Sequence, residues 1–136
     1  TRYRSSAASD VYKRQLRPLV DAGVDVIHAS NRRFWEPEFE GSNLNLAGWT
    51  KKITGLPTIT VGSVGLESDF IGFYQGEDEV KSAPIDDLVK RMDDKEFDMV
   101  AVGRALLSDP EWVNKVKEGR YDEVIPFSKK HAENYY

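Results

Sequence analysis

The sequence of 136 residues has no cysteine and only two histidines. A chain without cysteine forms no disulfide and offers no thiol nucleophile or thiolate metal ligand. The two histidines, His28 and His131, lie about a hundred positions apart, which is not the ligand spacing of a zinc motif. We therefore predict that the protein holds no metal, and the lack of cysteine favours a reducing, cytoplasmic location.

Long apolar stretches are missing as well. No run approaches the roughly 20 consecutive apolar residues of a transmembrane helix, and the first 15 residues lack the apolar core of a signal peptide. Hydrophobic residues make up 40% of the chain and charged residues 31%, which is the composition of an ordinary folded domain. The sequence therefore predicts no membrane partner.

The net charge of −4 is unevenly distributed along the chain. Within the first 17 residues a single acid, Asp10, is outnumbered by five bases: Arg2, Arg4, Lys13, Arg14 and Arg17. The remainder is acidic, which argues against nucleic acid as a partner. Residues 1–15 are also rich in Ser, Ala and Arg without an apolar period, and we interpret them as a non-native segment left by processing, cloning or sequence assembly. A basic arm that contacts anionic partners is the alternative.

The pattern of residues 16–136 is typical of a single α/β domain. Short apolar stretches predict three strands, at residues 24–29, 57–61 and 97–102. Four helices are predicted. The first ends at Gly23, and the second covers residues 46–54 and ends at Gly55. The third runs from a Ser82 cap through Met92, and the fourth begins at a capping box at Ser108 and has Trp112, Val113 and Val116 on its buried face. Apolar strands that alternate with helices indicate a parallel sheet covered by helices. Residues 66–81 are ambiguous.

Glycine-containing turns follow two of the predicted strands. Gly62 and Ser63 follow the second strand, and Gly103 and Arg104 follow the third. Ligands of parallel α/β folds bind at the carboxyl ends of the strands. Two such turns with exposed backbone N–H groups, together with the guanidinium of Arg104, suit a phosphate group. The alternatives are plain turns and an arginine in a surface salt bridge.

The segment of residues 30–49, after the first strand, is long for a βα loop. Its aromatic and charged side chains favour a structured cap over a pocket, and the alternative is a surface excursion that packs on its own domain. His28 lies at the preceding strand end, where it either faces a ligand or has a structural role, and His131 is expected at the surface. No GxSxG elbow, catalytic triad or Walker motif is present, so the catalytic residues stay unknown.

Four segments together carry a family resemblance: residues 24–30, 33–39, 57–65 and 100–112. They resemble the C-terminal part of the old yellow enzyme family, and the most specific motif is VGRALLSDPEW in the last segment. Members of this family are NADH:flavin oxidoreductases, or ene-reductases, built as FMN-binding (β/α)₈ TIM barrels. A complete barrel has roughly 250 residues, so the resemblance implies that this chain is about strands six to eight. The N-terminal barrel half would then be a missing partner.

The resemblance implies a site for the cofactor phosphate. In the family, a Gly-Arg pair after strand eight binds the phosphate of FMN, and this pair corresponds to Gly103 and Arg104. The glycine turn after strand seven donates backbone N–H groups to the same phosphate, and it corresponds to Gly62 and Ser63.

The resemblance also implies a reaction and a substrate pocket. NAD(P)H would reduce FMN by hydride transfer, and the flavin would pass hydride to a small-molecule substrate with an activated alkene. The loop after strand six borders the substrate pocket, where Phe34 or Trp35 would cover the flavin.

The family's remaining machinery comes from earlier strands, which this chain lacks. These strands supply the flavin-ring contacts, the pair that holds the substrate carbonyl and the tyrosine proton donor. The alternatives are therefore an inactive truncated fragment, a half-barrel module that needs a partner chain, or a phosphate-binding barrel of another chemistry. An aldolase or isomerase would be favoured by a Schiff-base lysine at a strand end, and none is seen.

Overall fold

The computed structural model of the chain describes residues 2–68 and 79–133. The helices are α1 (Arg2–Asp21), α2 (Leu46–Thr54), α3 (Asp86–Asp93), α4 (Arg104–Ser108), α5 (Trp112–Lys117) and α6 (Lys129–Glu133), with a 3₁₀ turn at Tyr121–Glu123. The strands are β1 (Ile27–Ser30), β2 (Thr58–Val61), β3 (Glu79–Val80), β4 (Met99–Val100) and β5 (Phe127–Ser128). Most of the ambiguous region, residues 69–78, lies outside the described residues.

Three strands form a parallel sheet in the order β1-β2-β4. The β1 and β2 strands pair from Ile27 opposite Thr58 to Ser30 opposite Val61, and β4 pairs with the middle of β2. The strands β3 and β5 form a separate antiparallel pair. The chain is thus a mixed α/β unit with parallel strands, while its membership of a TIM barrel remains a prediction.

The two faces of the parallel sheet differ in how they are covered. On one face, which packs against α2, Ala29 and Thr60 are buried. On the other face Ile59 and Val61 are half-buried, and Met99 is 40% exposed. Parallel sheets are normally covered on both faces. The apolar side chains on this half-open face therefore suit packing against another structural element.

The hydrophobic core lies beside the covered face and continues around β3 and β5. Its buried members are Ala29, Phe34, Ala47, Val64, Leu66, Val80, Ile85, Leu88, Phe97, Ala105, Trp112 and Phe127. Phe97 and Phe127 are 1% and 2% exposed. Burying a side chain of this size contributes about 1.5–3 kcal/mol of hydrophobic free energy.

The second predicted helix is confirmed at both ends. It spans Leu46–Thr54, and Gly55 ends it in the left-handed conformation, with φ of +71° and its N–H donating to the carbonyl of Lys51. Strands are found where the sequence predicted them, but they are shorter than predicted. The first pairs over 27–30 instead of 24–29, and the third is reduced to β4, although the N–H of Ala101 still donates to the Thr60 carbonyl at 2.8 Å.

The predicted Ser82 cap is wrong. The α3 helix begins at Asp86, and Ser82 forms an antiparallel bridge with Leu66 instead. The backbone around it is held extended, because the N–H of Ala83 donates to the Gly65 carbonyl at 2.9 Å. An extended residue that is paired across a bridge cannot also cap a helix four positions later.

The predicted capping box at Ser108 is displaced by one residue. Ser108 ends α4, and Asp109 instead accepts the N–H of Glu111 at 3.1 Å ahead of α5. The Ser108 hydroxyl lies 2.8 Å from Nδ1 of His131, which is half-buried rather than at the surface as predicted. On α5, Trp112 is buried as predicted.

The other two residues of the predicted buried face on α5, Val113 and Val116, differ in burial. Val116 packs against the core, whereas Val113 is 52% exposed. The predicted buried face is therefore wrong at Val113.

The α1 helix runs without a break across the predicted boundary at residue 15. It ends as predicted at Gly23, whose φ is +85° and whose N–H donates to the Val20 carbonyl at 3.0 Å. Near its middle the hydroxyl of Tyr12 lies 2.7 Å from the hydroxyl of Thr50 on α2. None of the helices found in residues 2–68 and 79–133 is both long and apolar enough to span a membrane.

Candidate functional site

A cleft lies at the carboxyl edge of the parallel sheet, where the chain leaves β1, β2 and β4. Its volume is about 440 Å³, and it is lined by Asn31, Arg32, Val61, Gly62, Ser63, Val64, Leu66, Ala101, Gly103 and Arg104. The structure therefore brings together the four residues that the sequence predicted for a phosphate site. Within the described part of the chain, no Asp or Glu is among the lining residues.

Gly62 is a crowded backbone position of the cleft. Its φ is +139°, and a Cβ there would lie 2.6 Å from the carbonyl oxygen of Asn31 and 3.1 Å from the backbone nitrogen of Arg33. The two segments are also hydrogen-bonded, because Asn31 N–H donates to the Val61 carbonyl at 3.2 Å and Phe34 N–H to the Gly62 carbonyl at 3.1 Å. Glycine permits this close approach, which fixes the loop after β1 against the turn after β2.

Ser63 continues the turn in the left-handed conformation, with φ of +51°, which is uncommon for a residue other than glycine. Its hydroxyl donates to the carbonyl oxygen of Arg32 at 3.2 Å and accepts from Nη2 of Arg104 at 3.3 Å. Its carbonyl accepts the N–H of Leu66 at 3.1 Å. Ser63 thus contacts both of the other segments that form the cleft.

Arg104 is the first residue of α4, and its guanidinium reaches the turn after β2. Besides the bond to Ser63, its Nη2 donates to the carbonyl oxygen of Ser68 at 3.0 Å. The guanidinium carbon lies 5.6 Å from the ring centroid of Phe127, which is within cation–π range. Among the described residues other than its chain neighbours, no heavy atom lies within 4 Å of the place a Cβ on Gly103 would take, so a ligand can approach the backbone there.

The sequence did not predict the buried polar network beneath the cleft. Asn45 donates from Nδ2 to the Phe34 carbonyl at 2.8 Å and to Oγ1 of Thr60 at 3.2 Å, while its Oδ1 accepts the N–H of Gly48 at 2.8 Å. Asn31 donates to the same Thr60 oxygen at 3.0 Å. Asparagine just before a helical pattern is a preferred N-cap, and this signal could have identified Asn45.

The long loop after β1 packs on its own domain, which was one of the two predicted alternatives. Phe34 is 4% exposed and belongs to the core, and the Trp35 ring meets it edge-on with centroids 5.0 Å apart. Arg91 of α3 donates to the Asn43 carbonyl at 3.1 Å and to the Trp35 carbonyl at 3.5 Å. Phe34 and Trp35 do not line the cleft, and their role at a substrate pocket stays a prediction. His28 is exposed on the half-open face of the sheet.

Among the described residues, two carboxylates outside the cleft have lowered pKa values, and both tie structural elements together. Burial acts to raise the pKa of Asp109, but the bond from Lys115 at 2.8 Å and two backbone N–H donors outweigh it, so the pKa falls below its ordinary value. The pKa of Asp98 is lowered chiefly by the bond from Lys51 at 2.6 Å. Neither carboxylate lines the cleft, so the site relies on guanidinium, hydroxyl and backbone groups.

A comparison with known proteins identifies a relative of the chain. No family model matches the chain. The chain is similar to a protein named NADH oxidase from Thermoanaerobacter brockii, with 35% identity over 120 residues. This similarity covers 82% of the chain but only 16% of the relative, so the chain spans about one sixth of that protein's length. It is consistent with a family of NADH-dependent oxidoreductases.

Proposed function

We propose that the chain is part of an FMN-dependent oxidoreductase of the old yellow enzyme type, in which it holds the cofactor phosphate. The observation that carries this proposal is the convergence of Gly62, Ser63, Gly103 and Arg104 on one cleft at the carboxyl edge of a parallel sheet. The relative named NADH oxidase supports the redox chemistry and favours NADH as the reductant.

The lining of the cleft suits the phosphate end of FMN. Two arginines, Arg32 and Arg104, line it, and no acidic residue of the described chain lies among the lining groups to repel a dianion. A guanidinium presents parallel N–H donors that match phosphate oxygens. The open space at Gly103 leaves its main-chain groups accessible to such a ligand, whereas Gly62 lets the loop after β1 pack closely against the turn after β2.

FMN, when bound, supplies hydride transfer from NAD(P)H to an activated alkene such as an α,β-unsaturated carbonyl compound. The described residues bind and orient one end of the cofactor. Arg104 neutralises phosphate charge from a fixed position, because its guanidinium is held by the Ser68 carbonyl and lies over the Phe127 ring. Binding energy gained at the phosphate fixes the distant reacting end, which is how a non-reacting group contributes to catalysis.

In this proposal an N-terminal barrel half contributes the further βα units that complete the barrel. The half-open face of the sheet, with Ile59, Val61 and Met99, would line the inside of a TIM barrel, and residues 16–136 would form about strands six to eight. The small share of the relative that the chain spans supports a larger parent protein.

The test uses the protein encoded by the complete reading frame around this chain. After purification, the bound cofactor is released by heat and identified by chromatography and mass, and we expect FMN. Anaerobic oxidation of NADH should then depend on an added α,β-unsaturated ketone. The Arg104→Ala variant should lose most of its FMN, whereas Arg120→Ala, which removes a surface arginine paired with Glu118 and Glu123, should retain it.

Other outcomes identify the alternatives. A protein that takes up neither flavin nor NADH but binds a phosphorylated substrate would be a phosphate-binding barrel of another chemistry. A reading frame that encodes no further βα units would leave a truncated product or a module that needs a partner chain, and either result overturns the proposal.

A further inference from the structure

The hydroxyl of Ser63 joins three segments at the proposed phosphate site. It donates its single proton to the Arg32 carbonyl at 3.2 Å, and it accepts a hydrogen bond from Nη2 of Arg104 at 3.3 Å. A serine hydroxyl has one donor and two acceptor positions. Its donor is therefore engaged within the chain and is not available to a ligand oxygen.

The backbone at Ser63 favours a residue without a side chain. With φ of +51°, the left-handed conformation costs a non-glycine residue free energy that glycine would not lose. The serine hydroxyl offsets this cost through its two bonds, both of which lead to the walls of the cleft. The turn could form with glycine at this position, so the Ser63 side chain serves another purpose than forming the turn.

The turn after β2 holds the Arg104 guanidinium at two points. The same Nη2 atom donates to Ser63 Oγ at the start of the turn and to the Ser68 carbonyl at 3.0 Å at its other end. The Phe127 ring lies against the guanidinium at 5.6 Å. An arginine held in this way loses less side-chain entropy when it binds an anion.

We propose that the Ser63 hydroxyl is a positioning group for Arg104, and that it strengthens phosphate binding through that arginine and not by touching the ligand. This inference rests on the proposed function, because the ligand is taken to be the phosphate of FMN. It assigns the Ser63 side chain a role distinct from that of its backbone N–H.

The experiment measures dissociation constants of the apoprotein from the complete reading frame for FMN and for riboflavin, which lacks the phosphate. The Ser63→Gly variant keeps the left-handed turn and removes only the hydroxymethyl group. We expect the dissociation constant for FMN to rise about fivefold to tenfold, which corresponds to the net free energy of one ordinary hydrogen bond. The constant for riboflavin should not change.

A double-mutant cycle separates positioning from other roles. In an Arg104→Ala background, Ser63→Gly should weaken FMN binding no further. The Ser63→Asn variant, whose side chain tolerates the left-handed conformation and offers an acceptor oxygen, should recover part of the affinity. The matched control is Lys95→Gly, which changes the other non-glycine residue with positive φ in the described chain, at +61°, and should leave both constants unchanged.

Three results would overturn this inference but leave the proposed function standing. They are an unchanged dissociation constant for FMN in Ser63→Gly, an equal rise of the constants for FMN and riboflavin, or the same loss of FMN affinity in the presence and absence of Arg104. If the wild-type protein binds FMN no more tightly than riboflavin, the proposed phosphate site itself is wrong.

Discussion

Lys115 Nζ lies 2.8 Å from Oδ2 of Asp109, and the side chain of this aspartate is only 2% exposed. The same lysine donates to the Glu123 carbonyl at 2.9 Å, and the same carboxylate oxygen accepts the N–H of Ile125 at 3.0 Å. The pair thus joins α5 to the segment that leads into β5. Because β5 carries Phe127, whose ring lies against the Arg104 guanidinium, this interaction supports one of the residues that line the cleft.

We expect Asp109→Asn to lower the free energy of unfolding by about 3 kcal/mol near neutral pH, because it leaves the Lys115 ammonium without its buried counter-charge. Thermal or urea unfolding of the wild type and the variant measures the difference. Asp122→Asn, at an exposed aspartate of the neighbouring turn, is the control and should change stability little. A loss no larger than that of the control would contradict the structural role of the pair.

The pH dependence of this loss follows from the lowered pKa of Asp109. A carboxylate whose pKa is lowered by folding stabilises the protein above its unfolded pKa, and this contribution is lost as the pH falls through the folded pKa. The stability difference between wild type and Asp109→Asn should be constant at neutral pH and shrink below about pH 4. A difference that grows in acid would show that another group carries the effect.

Gly62 and Gly55 provide a matched pair of glycine positions. Both have positive φ, but a Cβ on Gly62 would lie 2.6 Å from the Asn31 carbonyl oxygen, whereas a Cβ on Gly55 would have no non-neighbouring atom of the described residues within 4 Å. We expect Gly55→Ala to cost about 1 kcal/mol of stability, the conformational term alone. Gly62→Ala should cost at least about 2 kcal/mol more, because two backbone segments must separate and because alanine adopts a φ of +139° less readily than the +71° of Gly55. Equal losses in chemical denaturation would show that the close approach is relaxed at little cost.

Arg91 fixes the loop after β1 onto α3. Its side chain, 13% exposed, pairs with Glu96 at 3.1 Å and donates to the carbonyls of Asn43 and Trp35. In Arg91→Ala we expect faster hydrogen exchange and proteolysis across the loop, with the sheet amides still protected. Lys90→Ala on the same helix, where the side chain is exposed, is the control.

The sequence predicted those elements whose local pattern and long-range packing agree. The second helix has an apolar stripe and a glycine at its end, and both ends were predicted correctly at Leu46 and Gly55. The Ser82 cap failed because β pairing with Leu66, a non-local contact, overrides the capping preference of serine. The error at Ser108 has the same origin, since its hydroxyl is engaged by His131, 23 positions away.

The candidate site was likewise predicted in part, where the local sequence pattern was sufficient. Glycine and arginine after the strands were sufficient to predict which residues meet, because parallel strands end at one edge. Periodicity could not predict that the Ser63 hydroxyl bridges Arg32 and Arg104, or that Thr60 anchors two asparagines beneath the cleft. Such bonds depend on side-chain geometry at the ends of separate loops.

Whether residues 1–15 are non-native, as the sequence predicts, can be tested by deleting them. In the structure residues 2–15 form the first part of α1, so that Pro18 lies inside a 20-residue helix, although proline lacks an N–H and favours the first turn. Deleting residues 1–15 would place Pro18 in the first turn and remove the Tyr12 hydroxyl bond to Thr50. The Tyr12 ring also lies 6.3 Å from that of Phe39, centroid to centroid. We expect the free energy of unfolding to change by no more than about 1–2 kcal/mol, the size of the hydrogen bond and this ring contact together. A variant that no longer folds would show that this segment belongs to the domain, and Tyr12→Phe would then measure how much of the loss is due to the hydroxyl.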